Sequence, residues 1–140
     1  MLERLRRKTE LAEIETVMGF CDGPEDRDHF DAGRFDVVVS RQLTNGLFDP
    51  LTAFANWHHW LAPDGAVVVM DGLYDRGSWQ GDWAREVDVL PLSACQSMAM
   101  VPYLLERSGF GVETVSRMAA VDALPTARTP RYVVVARKAA

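Results

Sequence analysis

The chain has 140 residues, a length that fits a single domain spanning 1–140. Hydrophobic residues make up 48% and charged residues 25%, which excludes a disordered, collagen-like or disulfide-dense chain. Fifteen Lys and Arg against twenty Asp and Glu give a net charge of −5, a balance that argues against a phosphate-tracking nucleic-acid surface.

Met1 to Ala12 reads as a helix with a basic polar face, because Leu2 and Leu5 recur at helical spacing and no Gly or Pro occurs before Gly19. The same charged segment lacks a signal-peptide core, and no run approaches the roughly eighteen apolar residues of a membrane span. Ile14 to Phe20 alternates β-favouring and polar residues and predicts a strand, ended by the turn cluster Cys21-Asp22-Gly23-Pro24. Glu25 to Arg34 is charged connecting sequence. Phe35 to Ser40 and Ala66 to Met70 are Val-rich runs typical of strands in a parallel sheet.

Between those strands, Asp49-Pro50 opens a helix, with Asp as the capping oxygen and Pro at the first helical position. Leu51, Phe54, His58 and Leu61 are expected to form its buried stripe, and Pro63-Asp64-Gly65 its stop. A crossover of this length makes the two strands parallel. Asp71 to about Ser97 has no strong periodicity and reads as a long functional loop. A helix stopping at Gly109, strands at Val112 to Arg117 and Tyr132 to Arg137, and an intervening loop with one helical turn complete the chain. Alternating strands and helices make the fold class α/β with an open sheet. Cys21 and Cys95 form no CxxC pair, so a reducing cytoplasm is expected. His58-His59 are adjacent and point apart on a helix, so no metal site is expected.

The stretch FDVVVSRQLTNGLFDPLTAFANWHHWLAPDGAVVVMDGLYD resembles the middle of small class I S-adenosylmethionine-dependent methyltransferases of the type 11 kind. The pieces are Phe35 to Arg41, Leu43-Thr44, Asp49-Pro50, Trp57, Leu61 to Gly65 and Ala66 to Asp71, with Asp64 in place of a glycine. LLERSGF and RYVVVARK resemble the last helix and strand. The resemblance implies a partial Rossmann-like methyltransferase sheet, mostly parallel with an antiparallel C-terminal strand and helices on both faces. It also implies an N-terminal truncation. MLERLRRK resembles the helix that follows the second strand of such enzymes, and the only G-x-G, Gly109-Phe110-Gly111, precedes a strand instead of opening a cofactor turn.

By the same resemblance Asp22 is the acid facing the adenine amine, although an Asx-turn residue in CDGP serves equally well. Ser40, Arg41 and Gln42 line the methionine side of the cofactor; ligands of open α/β sheets also bind beyond the carboxyl ends of strands. Asp71 and Tyr74 end the next strand and are expected to face substrate, with Trp79 and Trp83 forming an apolar lid or, equally well, packing the loop onto the body or meeting a partner. Three functional readings stay open: a small-molecule methyltransferase that binds S-adenosylmethionine weakly or not at all without a partner chain, a non-catalytic self-association or regulatory module, and an enzyme whose true start lies upstream of Met1. The expected partner is a second copy or a methyltransferase relative, joined through the exposed edge of the Phe35 to Ser40 strand.

Overall fold

The computed structural model describes residues 14–15 and 17–139. The helix expected over Met1 to Ala12 lies outside the described residues. Strand β1 is Phe35–Arg41, followed by a 3-10 turn at Thr44–Gly46, helix α1 at Pro50–Trp60 and strand β2 at Leu61–Gly72. A long loop carries the one-turn helix α2, Trp83–Glu86. Helix α3 (Met100–Arg107), strand β3 (Phe110–Arg117), the single turn α4 (Ala119–Asp122) and strand β4 (Arg131–Lys138) follow.

The sheet order is β1-β2-β4-β3. β1 and β2 are parallel, and β4 runs antiparallel to both β2 and β3. Among the described residues three strands therefore share one direction and only the C-terminal strand opposes them, as expected. The Val-rich runs pair with each other, Val38 with Val67 and Val69 with Val134.

Val67, Val69, Val134 and Ala136 are buried on one face, together with Phe54 and Trp57 of α1 and Val101 and Leu105 of α3. Both longer helices thus cover the same face. On the other face of β1, Val37 and Val39 are 50% and 62% exposed. Of the helices expected on both faces, the described ones of more than one turn account for the first face, and the one at Met1 to Ala12 falls outside the description.

Three local expectations are corrected. The described residues of Ile14 to Phe20 are not a strand. A strand needs a neighbouring ladder for its N–H and C=O groups, and β1, the end strand, pairs only with β2 among the described residues. The segment is tied down differently, by Arg34 to Glu15 at 2.5 Å and by Asn56 Nδ2 donating to the carbonyls of Cys21 and Gly23 at 3.1 and 2.9 Å.

The buried arc of α1 is Ala53, Phe54, Asn56, Trp57 and Trp60, not the Leu51, Phe54, His58, Leu61 stripe. Leu51 is 48% exposed and His58 half-buried. The helix is wedged between β2, α3 and the 3-10 turn Pro24–His29, so the larger indoles take the interior. Trp60 Nε1 donates to the Arg27 carbonyl at 2.7 Å, which lets a polar tip go inside at little cost.

The third correction concerns Pro63-Asp64-Gly65, which does not end the helix. Leu61 already pairs with Phe35, and the triplet forms an irregularity before Ala66 meets Val37. Asp64 sits at φ +62, the left-handed region that glycine enters most easily. The start of α1 is as expected: Asp49 Oδ1 accepts from Thr52 N at 3.0 Å, and this bond, followed by that from the Thr52 hydroxyl, holds its carboxyl below the usual range.

Candidate functional site

The carboxyl ends of β1 and β2 lie side by side, and the chain leaves β1 through a strained corner. Gln42 has φ +51, yet its N–H still donates to the Met70 carbonyl at 2.9 Å and so extends the ladder. The corner aims the side chain across the sheet, where Gln42 Nε2 donates to the Tyr74 hydroxyl at 3.1 Å. One residue past Leu43, the Thr44 hydroxyl donates to Asp71 Oδ2, and Gly72 N donates to Asp71 Oδ1 at 2.7 Å. Asp71 is 2% exposed with both oxygens engaged. It ties the β1 exit loop to the end of β2.

Tyr132 lies beside this carboxylate. Burial first, then the charge of Asp71, pushes its phenol above the usual range, so it stays protonated. Ser40 is 3% exposed and its Oγ has no hydrogen-bond partner among the described residues. Arg41 is exposed and alternates onto the opposite face of the strand. The structure therefore joins Gln42 to Tyr74 and adds Thr44 to Asp71, while Arg41 points elsewhere.

Asp22 belongs to a neighbouring cavity of about 350 Å³, lined by Phe20, Leu43, Leu47, Phe48 and Trp60 among others. Its Oδ2 accepts from Phe48 N at 2.7 Å and from Asp49 N at 3.4 Å. The carboxylate thereby fastens the 21–23 turn to the entry of α1 and leaves its other oxygen without a partner among the described hydrogen bonds.

The loop after β2 folds back onto the body. Trp79 Nε1 donates to the Ser93 carbonyl at 2.8 Å, and Ser93 Oγ donates to the Val87 and Leu90 carbonyls. Tyr74, Trp79 and Trp83 form an aromatic row with centroids 5.7 and 6.2 Å apart, running from the end of β2 to exposed Trp83. The expected metal-free histidines diverge: His58 packs edge-on against Phe110 at 5.3 Å, and His59 Nδ1 accepts from Arg27 at 2.9 Å.

Thr44, Phe20 and Phe48 join the site residues expected from the sequence. For Phe48 the available signal was its place directly before the Asp49 cap.

A methyltransferase-domain family model matches residues 1–69, which include β1 and α1. The match covers just under half of the chain. No curated protein sequence matches the chain. Among solved structures it is similar to the complex between the Haloferax volcanii Trm112 methyltransferase activator and the putative methyltransferase, at 15% identity and TM-score 0.72, covering 100% of this chain and 68% of that one. It is also similar to the trans-methyltransferase CalH in complex with SAH (21% identity, TM-score 0.68, 99% and 40% covered). The third is the [4+2]-cyclase SpnF, at 13% identity and TM-score 0.68, with 99% and 60% covered. At these identities the likeness is one of fold, and the presence of a cyclase illustrates that the fold does not dictate the reaction. The chain spans about two thirds of the first of these and less of the others.

S-adenosylmethionine fits these residues only in part. The apolar cavity beside Asp22 suits a flat heteroaromatic ring with a polar edge. For ribose and sulfonium the sequence has no glycine-rich turn opening a helix, and Asp71, the buried carboxylate nearest the strand ends, has both oxygens engaged by Thr44 and Gly72.

Proposed function

We propose that this protein is a methyltransferase-like protein of small-molecule type that engages S-adenosylmethionine only together with a partner chain and is inactive by itself. The observation that carries the reading is the position of β1. It is the end strand of the sheet, its outer edge is unpaired among the described residues, and its carboxyl end leads into the Gln42, Thr44, Asp71, Tyr74 cluster. In a doubly wound sheet a ligand crevice forms where two such strand ends diverge, so a strand added beside β1 would build the missing wall. Asp22 would then meet the adenine edge, and Ser40 and Gln42 the amino-acid end, with Arg41 toward the added chain. Asp71 and Tyr74 would shape the acceptor side, under Trp79 and Trp83. The partner is a second copy or a methyltransferase relative. The Trm112 complex among the neighbours supports partner use in this fold. The setting is cytoplasmic, in keeping with the free Cys21 and Cys95; no described helix is long and apolar enough to cross a membrane.

A second reading, a non-catalytic self-association module, draws on the exposed Val37 and Val39 and needs no cofactor. Calorimetric titration of S-adenosylmethionine into the purified single chain tests the first. No saturable heat is expected at high micromolar ligand, and saturable binding of the cofactor by monomeric chain would overturn the partner requirement.

A further inference from the structure

Beside the Asp22 cavity lies a second concavity of about 470 Å³, walled by Phe20, Phe48 and Trp83, floored by Leu90 and flanked by Asp82 and Glu86. It shares Phe20, Gly46 and Phe48 with the first. Phe20, Phe48 and Trp83 are all exposed, an uncommon state for three aromatic rings around one hollow. Leu90 is buried beneath, and Arg76 pairs with Asp88 across the loop that carries Trp83.

Among the described residues the charges that line this hollow have one sign: its lining holds two carboxylates and no Lys, Arg or His. Asp82 and Glu86 are four residues apart and bracket Trp83. Among the described residues neither is in an ion pair, whereas Asp88, just beyond, is already neutralised by Arg76. Aromatic faces attract a cation through their quadrupole, and adjacent carboxylates add a field of the same sense. An anion would be repelled, and a neutral ligand would gain nothing from either carboxylate.

We infer that this hollow is a binding site for a small organic cation, a primary or quaternary ammonium carried on an apolar ring or chain. The apolar body lies on Phe20, Phe48 and Leu90, and the ammonium sits between Trp83, Asp82 and Glu86. The site needs no bound S-adenosylmethionine, so it stands or falls independently of the proposed function.

The test uses the purified chain and three probes of one shape: 2-phenylethylamine, 2-phenylethanol and phenylacetate. The readout is the Trp83 indole N–H resonance, assigned with Trp83→Phe. The amine is expected to shift it saturably and to bind about tenfold more tightly than the alcohol, with no saturable shift from phenylacetate. The double variant D82N/E86Q, whose side chains are exposed and outside the core, is expected to weaken the amine about fivefold while leaving the alcohol unchanged. Equal affinity for amine and alcohol, no saturable response to the amine, or unchanged amine affinity in the double variant each overturns the assignment.

Discussion

Thr44 and Ser40 illustrate how differently two buried hydroxyls can serve the same loop. The Thr44 hydroxyl satisfies a carboxylate that burial has removed from water, so replacing it by an isosteric methyl leaves Asp71 short of a donor. Ser40 Oγ has no partner to lose. Thr44→Val is therefore expected to lower stability by about 1–3 kcal/mol, and Ser40→Ala to be neutral or slightly stabilising. Urea denaturation checks both; a Thr44→Val protein as stable as the parent would mean that Asp71 is hydrated. Neither role was legible in the sequence. FDVVVSRQLTNG marks a strand and a turn, but the meeting of Thr44 with Asp71, 27 residues on, depends on two parallel strands ending level with each other. Gln42 at φ +51 is likewise invisible beforehand, because nothing in its residue type favours that conformation.

At the level of elements, the ends of α1 were readable and its rotation was not. Asp49-Pro50 is a strong local start signal, and the cap forms as such signals predict. The buried arc depends on what surrounds the helix. With α3 and the Pro24–His29 turn both against it, Trp57 goes inside and Leu51 stays out. Trp57→Ala is expected to cost about 3–5 kcal/mol and Leu51→Ala within about 0.5 kcal/mol, measured as shifts of the denaturation midpoint at constant slope. Similar costs for the two would restore the stripe inferred from spacing alone. The Ile14 to Phe20 segment makes the same point for strands, since its alternating pattern supplies side chains for a sheet but no ladder to join.

For the whole molecule the decisive feature is a sheet that, among the described residues, ends at β1, with one face covered by α1 and α3 and with Val37 and Val39 exposed on the other. Open edges with apolar flanks pair readily. Sedimentation is expected to show the parent chain heavier than one copy at micromolar concentration, and Val39→Lys, which puts a charge beside that edge, as a single copy with unchanged circular dichroism. A parent protein that stays monomeric throughout that range would contradict assembly through β1. The sequence by itself determined the α/β class, the strand-helix-strand unit with its cap, the Val-rich strands and the methyltransferase resemblance, because these follow from local propensity and from runs of contiguous residues. Only the tertiary structure decided which face of α1 is buried, that the described residues of Ile14 to Phe20 are not a strand, that Asp71 is held inside by Thr44, and that Phe20, Phe48 and Trp83 converge beside two carboxylates. Each of those is a contact between segments remote in the chain, fixed by packing and strand register and by no property of either segment alone.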